Sequence, residues 1–476
     1  MIGLIQNEDL YNYDIRSTLQ AFFDNEKIIE DTSDTRFQLK VEYGTEITKV
    51  ILIEDAKPLI CRELKGDYTK KETYKNPFKC LIYDILSEYT KKSLPWGTMT
   101  GIRPTKVALK LIEEATPKEE IIEHYETEYK TTKQKATICY EVAKKELSLL
   151  NKIQYEDAYS LYVGIPFCPS TCLYCSFTSY PIGIYKDKID AYLDALEQEL
   201  KYVAKKLCHK RLQTIYVGGG TPTSLSAEHL KRLLNIIKNE FDLSYLLEFT
   251  VEAGRPDSIT EDKLIALKEG NVKRISINPQ TMNDATLKVI GRNHTSKMVE
   301  ETYWLARRIG FDNINMDMIT GLPLEGIEEV EKTISAITAL KPDSITVHSL
   351  AIKRAANLTA KRKEFESMIK GSTNEMLELV DLNARKLGLE PYYLYRQKNI
   401  PGNLENVGYA LPLKECIYNI LIMEEKQDII AVGAGTSSKF VFPEENRIER
   451  VENVKNVDHY IERIDEMIKR KQVFLS

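Results

Sequence analysis

Three cysteines stand within eight residues, Cys168, Cys172 and Cys175, in the stretch LYVGIPFCPSTCLYCSFTSYP (Leu161–Pro181). Thiolates are the usual ligands of iron–sulfur clusters. Three of them on one tight loop can reach three corners of a four-iron cube. The fourth iron is then left open for a small molecule, by the logic that keeps a position free in catalytic zinc. Pro169 stiffens the loop, and Phe167, Leu173, Tyr174 and Phe177 offer apolar cover. Two other readings of the same residues stay open. One is three separate buried thiols. The other is a zinc site with His209 or His348 as fourth ligand, although zinc motifs usually pair one C-x-x-C with a second, distant pair. The other five of the eight cysteines lie singly along the chain and read as small buried hydrophobes.

The bulk numbers suit a globular chain. Its 476 residues are 43% hydrophobic and 29% charged, with a net charge of −5. An acidic balance argues against a nucleic-acid partner. The N-terminus carries acids where a signal peptide carries lysines, and no uncharged apolar run approaches the ~18 residues of a membrane span. A cytoplasmic location is therefore expected. There thiols stay reduced, so a cysteine cluster reads as metal-binding or catalytic.

The elements that must position these cysteines alternate in type. LYVGIPF, TIYVGGG, EFTVEAG, VKRISINPQ, DNINMDMITGLP and DSITVHSLA read as strands. The helices between them carry single apolar stripes, such as Ile189, Leu193, Leu196, Leu200 and Val203. Six βα units imply a parallel sheet with right-handed crossovers. With no further pair to make eight, an incomplete (β/α)6 TIM-like barrel is expected. It would span 156–360, between an N-terminal α+β domain over 1–155 and a C-terminal, mostly helical, substrate-covering domain over 361–476. Functional groups in such folds gather at the C-terminal strand ends. The cysteines, GGGTPT, Glu252, Gln280, Asp317 and His348–Ala351 all fall there.

The signature C-x-x-x-C-x-x-C after a strand resembles that of radical S-adenosylmethionine (SAM) enzymes. The longer string LYVGIPFCPSTCLYCSF resembles the oxygen-independent coproporphyrinogen III oxidase (dehydrogenase) family, nearest its HemZ-like branch. SLPWGTMTGIRPTK, VEAGRPD, TVHSLAIKRA and LYRQKN…GNLENVGY support this, and the likeness covers nearly the whole chain. The resemblance implies a radical SAM barrel and a [4Fe-4S] cluster on Cys168, Cys172 and Cys175. SAM would bind the open iron, and cluster reduction would release a 5′-deoxyadenosyl radical. It implies cofactor contacts from Tyr162, Tyr174, Gly219, Gly220, Thr221, Glu252, Gln280, Arg292, Asp317 and Ala351, with Tyr162 also catalytic, and anaerobic oxidative decarboxylation of coproporphyrinogen III to protoporphyrinogen IX. The expected partners are a tetrapyrrole substrate and a reductant such as flavodoxin or ferredoxin; a monomer is expected.

Each of these residues also has a plainer reading. The glycines could simply make a turn, Asp317 could cap a helix, and Tyr162 could pack in the core. Glu252, inside an apolar strand, calls for a partner, and Arg255 is the candidate. The substrate propionates call for basic groups, for which Arg396, Lys398, Arg103, Lys106, Lys353 and Arg354 stand near Trp96, Tyr392, Tyr393 and Tyr395. Two positions depart from the family oxidases: Gly164 replaces a histidine, and Phe177 a further cysteine. The alternative reading is a haem-binding chaperone, with His348 or His294 as axial ligand, or a haem-modifying radical SAM relative.

Overall fold

The computed structural model describes residues 1–23, 26–30, 35–101, 103–351, 368, 371–397 and 400–475. The chain divides into two compact units. The first comprises Met1–Lys144, Ser372–Asn374 and Leu394–Glu405; the second comprises Lys145–Gly371, Glu375–Tyr393 and Asn406–Ser476.

The first unit is built on five strands: β1 (Ile2–Gln6), β2 (Ile28–Ile29), β3 (Phe37–Tyr43), β4 (Ile47–Glu54) and β5 (Lys57–Lys65), in the order β2-β1-β3-β4-β5. Alternate residues of β3 are buried, as a sheet with one covered face requires. Helices Asn12–Phe22 and Lys71–Thr90 bring apolar residues at helical spacing, among them Ile15, Leu19, Phe78, Ile82 and Leu86, to one core with Leu39, Val41, Val50 and Leu52. The α+β expectation holds here.

The second unit carries β6 (Ala158–Ile165), the two-residue strands β7 (Phe167–Cys168) and β8 (Tyr180–Pro181), and then β9 (Arg211–Gly219), β10 (Glu248–Gly254), β11 (Arg274–Ile277), β12 (Ile314–Thr320) and β13 (Ser344–Ser349). The strands β6, β9, β10, β11, β12 and β13 pair in parallel in chain order. Nearly every residue in them is buried, which fits a parallel sheet covered on both faces. Helix Ile189–Lys206 buries Ile189, Leu193, Leu196, Leu200 and Val203, the stripe read from sequence. The fourth strand stops at Ile277, short of the expected Gln280. Pro279 has no N–H to donate, and Gln280 turns to φ +64°, although it still bridges to Met318.

The segment after 360 departs from the mostly helical expectation. Among the described residues, besides four helices it forms five strands: β14 (Glu390–Arg396), β15 (Glu405–Ala410), β16 (Asp428–Val432), β17 (Ser437–Phe442) and β18 (Arg447–Glu452). β15 runs antiparallel to β13, and β16 adds a seventh parallel strand beside β6. The full order is β14-β15-β13-β12-β11-β10-β9-β6-β16-β17-β18. Aromatic and β-branched runs such as YYLY and DIIAV suit a pleated, buried surface, and both sheet edges offer unpaired backbone groups to take them up. Among the described residues no helix is long and apolar enough to cross a membrane.

Candidate active site

β6 delivers the cysteines. β7 pairs with β8, and the Tyr180 N–H donates to Pro166 O at 2.8 Å, closing the loop at its base. Leu173 anchors the far side. Its N–H donates to Ile290 O at 3.0 Å, and its side chain packs with Leu287, Ile290, Ile319, Leu322 and Leu350, with Tyr174 alongside. Cys168 and Cys172 are buried and Cys175 is half-buried. Burial pushes the Cys168 thiol up to about 11, against a 3.4 Å contact with the Thr221 hydroxyl that favours the thiolate. Burial likewise raises Cys175. To hold a metal cluster these thiols would have to give up their protons, so loading would be favoured as pH rises.

The glycine run at the end of β9 lies against this loop. Gly219 sits at φ +107°, a conformation most side chains avoid. A Cβ on Gly220 would stand 2.5 Å from Phe167 O. These glycines therefore admit the cysteine strand itself: Gly220 N–H donates to Ile165 O and Thr221 N–H to Phe167 O, both at 2.7 Å.

Glu252 of β10 is half-buried. Its carboxyl rises from 4.5 to about 7, first through burial and then through Asp317, while the Tyr216 hydroxyl and the Gly219 N–H hold it down. The expected Arg255 partner is not there. The Glu252 partner is Tyr216, whose hydroxyl donates to Oε1 at 2.7 Å. Arg255 instead forms a two-pronged pair with Asp257, at 3.0 and 2.7 Å. The cause is spacing: successive residues on a strand point to opposite faces, and Asp257 lies just past the strand end.

Further along the strand ends, the Gln280 N–H donates to Asp317 O at 2.9 Å. Asp317 is held below the usual carboxylate range: burial would raise it, but bonds from His348, Asn315 and Thr346 prevail. His348 Nε2 stands 3.9 Å from its Oδ2. Buried Arg292 donates to Asn278 O at 2.5 Å, and its cation faces Tyr174 and Cys172. Ala351 follows β13, half-buried. Among the described residues, Gln280 Oε1, Asn278 Oδ1, Arg292 Nε and His294 Nδ1 are buried without a hydrogen-bond partner. Tyr162 stacks with Tyr216 and Tyr418, at centroid distances of 6.0 and 6.1 Å, and Tyr216 with Tyr418 at 4.6 Å. Sequence reasoning missed Tyr216 and Tyr418. Tyr216 was legible, two residues before GGG on the face shared with Glu252; Tyr418, from a distant helix, was not.

Among the described residues no three His, Cys, Asp or Glu side chains converge on a single ion. The zinc reading also fails on position. His209 precedes β9 at the end of the strands opposite the cysteines, roughly 25–30 Å away at strand rise, and His348 is engaged by Asp317. A cube needs no convergence, because each thiolate takes its own iron. Clustered buried thiols, beside buried donors and acceptors left open, fit an iron–sulfur centre with a polar ligand next to it.

The basic candidates divide. Arg396 is buried and donates to the carbonyls of Asn403 and Met99, with its guanidinium 5.1 Å from the Trp96 ring centroid. It is a structural tie of the first unit, not a free cation. Arg103 is half-buried and Lys106 exposed in the same unit. Lys353, Arg354 and Lys398 lie outside the described residues. Tyr392 and Tyr393 are buried in the second unit, whereas Trp96 and Tyr395 belong to the first.

Residues 162–337 match the Radical SAM superfamily. The chain is 40% identical over 417 residues to the oxygen-independent coproporphyrinogen-III oxidase-like protein HemZ of Bacillus subtilis, covering 86% of this chain and 83% of that protein. The chain belongs to this radical SAM family. Within it, the heme chaperone HemW of B. subtilis is 42% identical over 198 residues, covering 41% of this chain and 51% of HemW. The solved structure of the coproporphyrinogen III oxidase HemN of Escherichia coli, a radical SAM enzyme, aligns with a TM-score of 0.53 at 22% identity, over 68% of this chain and 73% of that one. It shares the fold.

Proposed function

We propose that this protein is a radical SAM enzyme that converts coproporphyrinogen III to protoporphyrinogen IX without oxygen. One observation carries the chemistry: a triplet of clustered thiols on a single loop, pressed against a glycine-rich strand end and beside a carboxyl poised near neutrality. Bound together, a reduced four-iron cluster and SAM supply a carbon radical able to take hydrogen from an unactivated C–H bond.

The chain's own residues do the rest. Cys168, Cys172 and Cys175 hold the cluster, and the apolar packing around Leu173 and Tyr174 keeps water from it. Tyr162, Tyr174, Gly219, Gly220, Thr221, Glu252, Gln280, Arg292, Asp317 and Ala351 bind SAM, and Tyr162 also orients its adenosyl end. Glu252 and Asp317 are acceptors for hydroxyl or ammonium groups; Gln280 and Arg292 bring the open polar atoms. In net terms each reacting propionate gives one hydrogen atom to the carbon radical and loses carbon dioxide and one electron, which passes to an external one-electron acceptor, leaving a vinyl group. The likeness to the HemZ oxidase-like protein over most of the chain supports this substrate class. The electron enters from a flavodoxin- or ferredoxin-type donor, and the protein acts as a cytoplasmic monomer.

The test is anaerobic turnover of iron- and sulfide-loaded protein with dithionite, SAM and coproporphyrinogen III. Vinyl products by mass spectrometry support the reading. Methionine and 5′-deoxyadenosine without vinyl product would keep the radical chemistry and reject the substrate.

The 42% identity to a heme chaperone over 198 residues favours a second reading, heme binding and delivery. Stoichiometric heme binding with no SAM cleavage decides for it.

A further inference from the structure

Arg255 does not pair with Glu252 but lies buried against the cysteine loop. It is 2% exposed. Its Nε and Nη2 are occupied by the two oxygens of Asp257, at 3.0 and 2.7 Å. That grip leaves Nη1 to face the cysteine loop. It donates to the carbonyl and the hydroxyl of Ser170, at 2.9 and 2.8 Å, and to Cys172 Sγ at 3.7 Å. Cys168, by contrast, faces the neutral Thr221 hydroxyl at 3.4 Å. The cation is therefore aimed at one sulfur, and a carboxylate behind it fixes the aim.

We propose that Arg255, oriented by Asp257, raises the reduction potential of the metal cluster held by the cysteine loop, acting through the Cys172 sulfur. This rests on the cluster reading given above. Reduction adds an electron to a centre that already carries thiolate charge. A buried cation and a hydrogen bond to sulfur favour the more negative state, and both are recognised means of tuning such centres. The low-dielectric surroundings keep that field from being screened. Asp257 offsets part of the charge, but it lies on the far side of the guanidinium, so the field at Cys172 stays positive. Arg292, whose cation also faces Cys172, adds to the same field. It is assigned to SAM, whereas Arg255 serves the loop alone.

The experiment is a redox titration of the loaded full-length protein without SAM, read by the electron paramagnetic resonance signal of the reduced cluster. Arg255→Gln is expected to make the cluster at least tenfold harder to reduce, a shift of about 59 mV to more negative potential for one electron. Arg255→Lys, which keeps the charge, is expected to shift it less. Asp257→Asn, which frees the guanidinium without removing it, is a second variant should Arg255→Gln not fold, and it too should move the potential. Ser170→Ala removes a staple of the loop but no charge and should leave the potential in place. An Arg255→Gln protein with full iron content and an unmoved potential overturns the inference. A shift in Ser170→Ala equal to that in Arg255→Gln also overturns it, by making Arg255 a structural staple. If the wild-type protein takes up no four-iron cluster, the cofactor reading itself fails, which is a different result from a cluster whose potential ignores Arg255.

Discussion

The Tyr216 hydroxyl donates to Glu252 Oε1 at 2.7 Å, and the ring that carries it stacks on Tyr418 and Tyr162. This bond favours the ionised carboxylate, while burial and the Asp317 charge oppose it. The balance leaves Glu252 at about 7, so it changes charge near neutrality. Tyr216→Phe removes a lowering influence and moves the carboxyl further up. At pH 7 a smaller fraction is then ionised, and SAM affinity should fall by roughly two- to tenfold, recovering toward about pH 8.5. Calorimetric titration of SAM across this range checks it, with Glu252→Gln as the variant that loses the pH dependence.

The same group makes a stability prediction of defined sign. Folding raises this carboxyl from 4.5 to about 7, so the folded state holds its proton where the unfolded chain has released it. Its contribution is fully present below 4.5 and is lost as pH rises through about 7. Glu252→Gln cannot lose that contribution. Its melting temperature should gain on the wild type between about pH 5 and about pH 8, by differential scanning calorimetry.

The strand ends were legible because chemistry and periodicity coincide there. Cys168, Gly219 and His348 stand at or beside the end of an apolar run and Glu252 two residues before the end of its strand, and parallel pairing brings such ends to one rim; Asp317 lies in the middle of its strand, not at the end the sequence suggested. What was not legible depends on contacts distant in sequence. β16 has only four apolar residues after Asp428, too few to show a period of their own, and its place is known only through its pairing with β6. Arg255 was matched to the wrong carboxylate because spacing along a strand does not show which side chain lies past its end. The C-terminal helix carries Ile464 and Met467 at helical spacing, a stripe that Lys471 continues, but a lysine at that position gives no sign in sequence that it is wholly buried.

Lys471 is 0% exposed, and its ammonium donates to Glu199 at 2.6 Å and to Asn453 at 2.7 Å. Glu199 also accepts from the Gly433 N–H and the Tyr460 hydroxyl. Removing one partner leaves a buried charge uncompensated. Lys471→Ala should therefore cost roughly 3–5 kcal/mol in urea unfolding. Lys471→Met with Glu199→Gln should cost less than Lys471→Ala alone, because no lone charge remains and the amide oxygen can still accept from the Gly433 N–H and the Tyr460 hydroxyl.

Replacing any one of Cys168, Cys172 and Cys175 by alanine should abolish four-iron absorbance and SAM cleavage in protein handled anaerobically, with little change in far-ultraviolet circular dichroism. The loop keeps its other anchors, including the Leu173 packing and the Tyr180–Pro166 bond. By contrast, Cys416→Ala should keep the cluster. That thiol contacts Glu248 at 3.2 Å inside the sheet, remote from the loop in sequence and in bonding.

The departure at Gly164 has a steric cause. The family oxidases that this sequence resembles carry histidine there, but a Cβ built on Gly164 lies 2.3 Å from Thr436 Cγ2 and 3.4 Å from Val432 O. Thr436 is held by its hydroxyl, which donates to Gly433 O at 2.7 Å, and its methyl group fills the space a side chain at 164 would need. Gly164→Ala should therefore cost about 1–3 kcal/mol. Thr436→Ser keeps the hydroxyl bond and removes only the methyl. Combined with Gly164→Ala it should recover most of that loss, giving a coupling of roughly 0.5–3 kcal/mol in a double-mutant cycle. Denaturant unfolding of the four proteins measures it; additive effects would mean that the β16–β17 loop yields to the new side chain and that Thr436 does not set residue 164.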